Sequence, residues 1–272
     1  MKSLTKFLIC LSVLALIFAF QGCKKDEGVV QPPDELAPPT ALKALSMDGA
    51  VKLTWTGSSF ESNSKFARYR IITTGVPNRT DSTTQNTKDI TGLTNGLSYT
   101  FSVMTVRDDG ALSVPATITW GPTDRYYTVR IYEFDSPHTS GLEFSSGDTL
   151  HFTSTGTDNR PYIDLWIDGH SGTECLMKSP SAYLGTTGWR TTKFATKSAS
   201  SLDEIVDIPA ASTFSIASLS ISTTTVYFAI TEDGNYARFV THGGVQGTAP
   251  NRYIDVDIAY NSGNGAWAKI PR

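Results

Sequence analysis

The stretch YIDLWIDGH sets Asp164 and Asp168 on either side of Trp166, and YIDVDIAY sets Asp255 two residues from Asp257. Successive side chains of a strand alternate between faces. Asp164, Trp166 and Asp168 therefore share one face, while Ile163, Leu165 and Ile167 take the other. Carboxylates two residues apart on a strand stand roughly 6.5–7 Å apart, from a rise of about 3.3 Å per residue. That spacing suits a cation or the acid/base pair of a glycosidase. An exposed indole between carboxylates suits stacking on a sugar. The plainer reading of both patterns is charged residues on the wet face of a half-covered sheet. The predicted binding set is Asp164, Trp166 and Asp168, with no catalytic residue assigned.

The histidines are His138, His151, His170 and His242. His170 (DGHSG) and His242 (THGG) each follow a predicted strand and precede glycine, which puts both on loops. Loop histidines at one end of a sandwich could ligate a metal or haem, but the short spacings of a zinc site are absent. Haem ligation would need two of His138, His170 and His242 to converge; otherwise they are surface residues. No HExxH, nucleophile elbow, P-loop or Gly-rich dinucleotide motif occurs, so the expectation is a non-enzyme without metal or cofactor, haem being the alternative. Of the three cysteines, Cys10, Cys23 and Cys175, the last lies beside Leu176 and Met177 and reads as a small core residue.

These residues need elements to hold them. The chain has 272 residues, room for about two domains of roughly 100–200 residues each. Lys2 and Lys6 precede an apolar run from Phe7 to Phe20, too short for a span of about 20 residues but suited to a secretory signal. The run stops at Gly22-Cys23, which reads as a lipoprotein cleavage site, with residues 1–22 removed and Cys23 lipidated as the new N-terminus. Residues 24–39 (KKDEGVVQPPDELAPP) are polar and Pro-rich without apolar period, and the expected tether spans 23–37. Cleavage of Cys10 and lipidation of Cys23 leave Cys175 without a partner, so the folded part must stand on hydrophobic cores. The net charge is −3, and without a basic patch nucleic acid is not an expected partner. The membrane contact is expected through the lipid, and an extracellular glycan, protein or small ligand is the expected partner.

Beyond the tether the pattern is β: short runs rich in Val, Ile, Thr, Tyr and Phe between Gly, Asn, Asp and Ser clusters. In a first domain, 38–122, predicted strands lie at 41–46, 51–56, 67–74, 87–90, 97–106 and 116–120. Val51, Leu53 and Trp55 alternate there with Lys52, Thr54 and Thr56, and Tyr99, Phe101 and Val103 repeat the period. In a second domain, 125–272, strands are predicted at 126–133, 149–154, 162–168, 189–194, 224–231, 236–241 and 252–260. A helix is predicted at 202–207, where Ser201 and Glu204 form a capping box. Arg107-Asp108-Asp109-Gly110 reads as a tight turn.

The first domain resembles a fibronectin type III module. PPTALKAL is similar to its first strand, VKLTWTG carries its buried tryptophan and ARYRI its core tyrosine. LTNGLSYTFSV matches the tyrosine corner, with Tyr99 at the corner and Leu93 six residues before it. The resemblance implies an immunoglobulin-like sandwich followed by a second antiparallel β-sandwich-like domain, an all-β chain. It implies a scaffold and no site.

The N-terminal segment resembles the signal peptides of Bacteroidetes-type bacterial lipoproteins, although Phe20 and Gln21 stand where Leu-Ala/Ser is usual. Lys25-Asp26-Glu27 resembles the signal that exports such lipoproteins to the cell surface. The resemblance implies a lipid-anchored outer-membrane location. TTVYFAITEDGNYARFV and RYIDVDIAY resemble the closing strands of HmuY-like haem-binding lipoproteins, with Arg238 where Lys is usual. No haem ligand is carried over from that resemblance. The leading expectation is a lipid-anchored surface protein whose fibronectin spacer presents a binding or adhesion domain. A haem-binding lipoprotein and a glycan-acting hydrolase are the alternatives.

Overall fold

The alternation in VKLTWT and YTFSV does become two facing sheets. In the computed structural model, which describes residues 36–75, 78–152, 159–169, 174–184 and 188–261, the first seven strands are β1 (Thr40–Met47), β2 (Ala50–Thr56), β3 (Phe66–Thr74), β4 (Arg79–Thr83), β5 (Thr87–Thr91), β6 (Tyr99–Arg107) and β7 (Ala116–Trp120). They form an antiparallel three-stranded sheet, β1-β2-β5, and a four-stranded one, β4-β3-β6-β7. Val51, Leu53, Trp55, Tyr69, Ile71, Tyr99, Phe101 and Val103 close the core between them. Two tyrosines tie loops to this core. The Thr94 backbone N–H donates to Tyr99 Oη at 3.0 Å, making the expected corner. Tyr69 Oη accepts from Ser58 N at 2.7 Å and donates to Glu61 Oε1 at 2.6 Å. Strand β4, polar on both faces, has no apolar period and was not predicted. The Arg107–Gly110 segment is the expected turn, closed by Gly110 N donating to Arg107 O at 2.9 Å.

The second half holds ten strands among the described residues: β8 (Asp124–Tyr132), β9 (Gly141–Leu142), β10 (Thr149–Leu150), β11 (Leu165–Asp168), β12 (Leu176–Lys178), β13 (Lys193–Ser198), β14 (Ser218–Ser220), β15 (Thr225–Ile230), β16 (Tyr236–Gln246) and β17 (Tyr253–Asn261). They make two antiparallel sheets, β10-β9-β11-β12-β14 and β13-β15-β16-β17-β8. Leu142, Phe144, Leu165, Ile167 and Met177 from the first meet Ile131, Phe194, Tyr227, Phe239, Ile254, Val256 and Ile258 from the second. Tyr227 stacks on Phe239 with centroids 5.0 Å apart, and Phe144 packs on Phe239 at 5.3 Å. Burial of each such side chain contributes about 1.5–3 kcal/mol. The single described cysteine, Cys175, is free and buried among them. Of the strand predicted at 149–154, Thr149–Leu150 forms and 151–152 are irregular, while 153 and 154 lie outside the described residues; the one predicted at 189–194 lies at Lys193–Ser198.

The helix predicted at 202–207 does not form; a single turn stands there, and the rest of the segment is irregular. Its local bonds are nonetheless those of a helix start: Ser201 Oγ accepts from Asp203 N at 3.0 Å and Glu204 Oε1 from Ser200 N at 2.7 Å. Ile205 and Val206 are β-branched and Pro209 follows, so propagation is poor. Leu202, Val206, Ile208 and Phe214 instead pack over Ala195, Val226, Phe228, Val240 and Ala259, covering part of the outer face of the β13–β8 sheet.

Three residues, Gly121-Pro122-Thr123, connect β7 to β8, and all three are buried. Thr123 N donates to Met47 O at 3.1 Å, Gly96 N to Pro122 O at 3.3 Å and Ser46 Oγ to Gly121 O at 2.6 Å. Asn95 Nδ2 bridges Asp48 at 2.7 Å and Asp124 at 2.9 Å. From Leu36 onward the chain is one compact unit.

Candidate functional site

Strand β11 alternates as the sequence predicts, but both of its faces are covered. Trp166 is 0 % exposed, stacked on Phe152 at 4.4 Å with an interplanar angle of 3° and edge-on to Phe134 at 5.6 Å. Trp189 and Ile163 complete this small outer cluster. The expected wet face with an indole free to stack on a sugar is therefore corrected. The residues that cover it come from irregular segments, which carry no periodic signal.

Asp164 is 2 % exposed, and its Oδ1 accepts from Arg190 Nε at 2.7 Å and its Oδ2 from Phe144 N at 3.1 Å. Burial pushes its pKa up to about 6, against the opposing pull of Arg190. Arg190 also pairs with Asp233. Asp168 pairs with Lys178 across the β11–β12 ladder. These carboxylates are committed to structural ion pairs.

The second pair lies elsewhere. On β17, Ile254, Val256 and Ile258 face the core, so Tyr253, Asp255 and Asp257 face outward. The register sets Arg130 and His242 on either side of Asp255, and Tyr132 and Gln246 on either side of Tyr253. Arg130 donates to Asp255 through Nε at 2.8 Å and Nη2 at 3.0 Å, and its guanidinium lies 3.9 Å from the centre of the Tyr253 ring. The bond to Asp255 raises the arginine's pKa above its ordinary value. Asp257 accepts from the Thr128 N–H at 2.8 Å and stands 2.8 Å from His242 Nε2. Thr128 has φ of +54° where the β8–β17 register shifts, so the carboxylate caps a bulge. Tyr132 packs on Tyr253 at 5.4 Å and on the exposed His138 at 4.4 Å. Arg130 and His242 are the open members, with side chains 44 % and 49 % exposed.

Chemically this face offers flat aromatic surface beside paired donors and acceptors. Asp255 is held by Arg130 through two bonds, and Asp257 by the Thr128 N–H and His242. Sequence reasoning found the two carboxylates but missed Arg130, Tyr132 and Tyr253; the signal was the alternation of Arg130 and Tyr132 with Val129 and Ile131.

The histidines of the haem alternative are placed as follows. His138 rests on Tyr132 and His242 on Asp257, while His170 lies outside the described residues, as does Cys23. Among the described residues no group of three or more His, Cys, Asp or Glu could hold a metal ion. Cys175 lines an open hollow with Ser220, Ile221 and Arg252, and burial pushes its thiol pKa up, away from reactivity.

The family model of the fibronectin type III domain matches residues 37–119, and the sheets β1-β2-β5 and β4-β3-β6-β7 are its sandwich. The chain is all-β, a fibronectin type III domain followed by further sandwich-like sheets. No curated protein matches the chain in sequence. Among solved structures, the fn3 domain of human collagen alpha-1(XX) chain is 23% identical over 36% of this chain and 95% of that one, with a TM-score of 0.30. A DUF4466 family protein from Parabacteroides merdae is 12% identical over 83% of this chain and 100% of that one, with a TM-score of 0.36. A two-domain fibronectin type III segment of chicken tenascin is 10% identical over 79% and 94%, with a TM-score of 0.28.

Proposed function

We propose that this chain is a binding protein of the outer-membrane surface, held by a lipid on Cys23, with the fibronectin type III domain as spacer and the second sandwich as binding domain. Its ligand is an extracellular glycan, taken on the outer face of β8, β17 and β16. One observation carries this reading: on the outer face of the sheet the half-buried rings of Tyr132 and Tyr253 lie beside the open side chains of Arg130 and His242, with Asp255 buried beneath Arg130. Aromatic rings supply flat apolar surface for the C–H face of a sugar. The guanidinium, carboxylates and Gln246 supply the donors and acceptors that hydroxyls need. A hydrolase would need a carboxyl free to take or give a proton. Asp164, Asp168, Asp255 and Asp257 are each held by ion pairs or hydrogen bonds.

The test is binding of the purified full chain to an array of cell-surface and host glycans. Tyr253→Ala and Arg130→Ala should each weaken binding about tenfold or more, as loss of a central aromatic or arginine does at interfaces; Tyr253→Ala should keep the unfolding midpoint, and Arg130→Ala, which leaves Asp255 unpaired, is measured well below its own lowered midpoint. Binding that survives both substitutions moves the site off this face, and an array with no bound glycan removes the ligand class.

A further inference from the structure

Where the two sandwiches meet, two arginines are buried together. Arg125 on β8 and Arg238 on β16 flank Ala259 of the intervening β17, and they are 9 % and 8 % exposed. Arg125 donates through Nη1 to Asp203 at 2.7 Å and through Nη2 to the Ser46 carbonyl of the fibronectin domain. Arg238 donates through Nη2 to two backbone carbonyls, Ser201 at 3.2 Å and Glu204 at 2.5 Å, and among the described residues no carboxylate pairs with it. The Glu204 side chain turns instead to Ser200 N and Oγ. Asp203, the only acid among the described residues that directly pairs with either guanidinium, has a side chain 67 % exposed.

The Nε–H groups of both arginines are buried without an acceptor. Both side chains line a crevice of about 30 Å³, walled by Leu45, Trp120, Leu202, Val206 and Phe228. That space holds about two waters or one small ion. Burial and the charge of Arg125 push the pKa of Arg238 down to about 10, which leaves it a cation at neutral pH.

We propose that this crevice binds a small monovalent anion, halide- or carboxylate-sized, between Arg125 and Arg238, where it ties the fibronectin domain to the second sandwich. A buried charge needs a counter-charge as well as hydrogen-bond partners. Water would supply an acceptor but no charge; an anion supplies both. The apolar wall accepts the carbon end of a carboxylate.

The test is thermal unfolding of the purified full chain at constant ionic strength, with the sodium salt of a bulky sulfonate replaced stepwise by sodium bromide or sodium acetate. The midpoint should rise by several degrees along a saturating curve, as linkage requires for a ligand of the folded state. Arg238→Met should abolish the dependence. A rise with bromide alone identifies a halide, and with acetate alone a carboxylate. Crystals of the native chain soaked in bromide should show an anomalous peak in contact with both guanidiniums, a readout independent of whether the variant folds. Equal midpoints in all three salts, a rise that Arg238→Met keeps, or bromide only elsewhere overturns the proposal.

Discussion

Asp164 is the residue whose chemistry and whose packing pull in opposite directions. Burial raises its pKa to about 6 although Arg190 and the Phe144 N–H favour the charged form. The native state therefore holds its proton more tightly than the unfolded chain, where the value is near 3.8. Its contribution to stability is present below about pH 4 and is lost as the pH rises through 6, a loss of about 3 kcal/mol. The expected outcome concerns the difference in unfolding free energy between the native chain and Asp164→Asn, from denaturant titrations at pH 4 to 7. That difference should shift by about this amount in favour of the variant as the pH rises; a flat difference would mean an ordinary carboxyl. At this scale the two-residue period made the strand neighbours of Trp55 and Tyr99 legible, because it survives into the core, and Tyr69 was legible through the resemblance of ARYRI to a fibronectin strand. Trp166 obeys the same period, yet its surroundings could not be read. Phe152 and Trp189, which cover it, arrive from distant irregular segments.

At the scale of the element, the connection between β7 and β8 is tightly constrained backbone. A Cβ at Gly121 would lie 2.2 Å from the carbonyl oxygen of Leu97, and backbone cannot yield as a side-chain tip can. Gly121→Ala should lower stability by about 1–3 kcal/mol or more. Limited proteolysis should then cut near residues 121–124, a segment protected in the native chain; an unchanged pattern and midpoint would show that the seam tolerates the methyl. The apolar strands were readable from composition and alternation. The failed helix at 202–207 was not, since its capping signals are real and satisfied locally. What overrides them is tertiary: Leu202 and Val206 are drawn onto Phe228 and Val240, and the carbonyls of Ser201 and Glu204 are taken by Arg238. The polar β4 and the two- and three-residue strands β9, β10, β12 and β14 are too short or too polar to show a period.

For the whole molecule, the proposed location rests on Cys23, outside the described residues. Cys23→Ala expressed in a bacterium that processes lipoproteins should lose metabolic lipid labelling and move from the membrane fraction to the soluble one. Continued anchoring of the variant would mean that the apolar run Phe7–Phe20 holds the chain without lipid.

The buried Gly121-Pro122-Thr123 link has a further consequence for recognition. Tyr132 lies seven residues along β8 from Arg125, about 20 Å from the seam, on a strand that leaves the joint and continues past the bulge at Thr128. The direction in which the aromatic face looks is thus fixed relative to the fibronectin domain when the chain folds. For a ligand of the proposed Tyr253 face, a link held by hydrogen bonds leaves less of the affinity to be consumed in ordering one sandwich against the other.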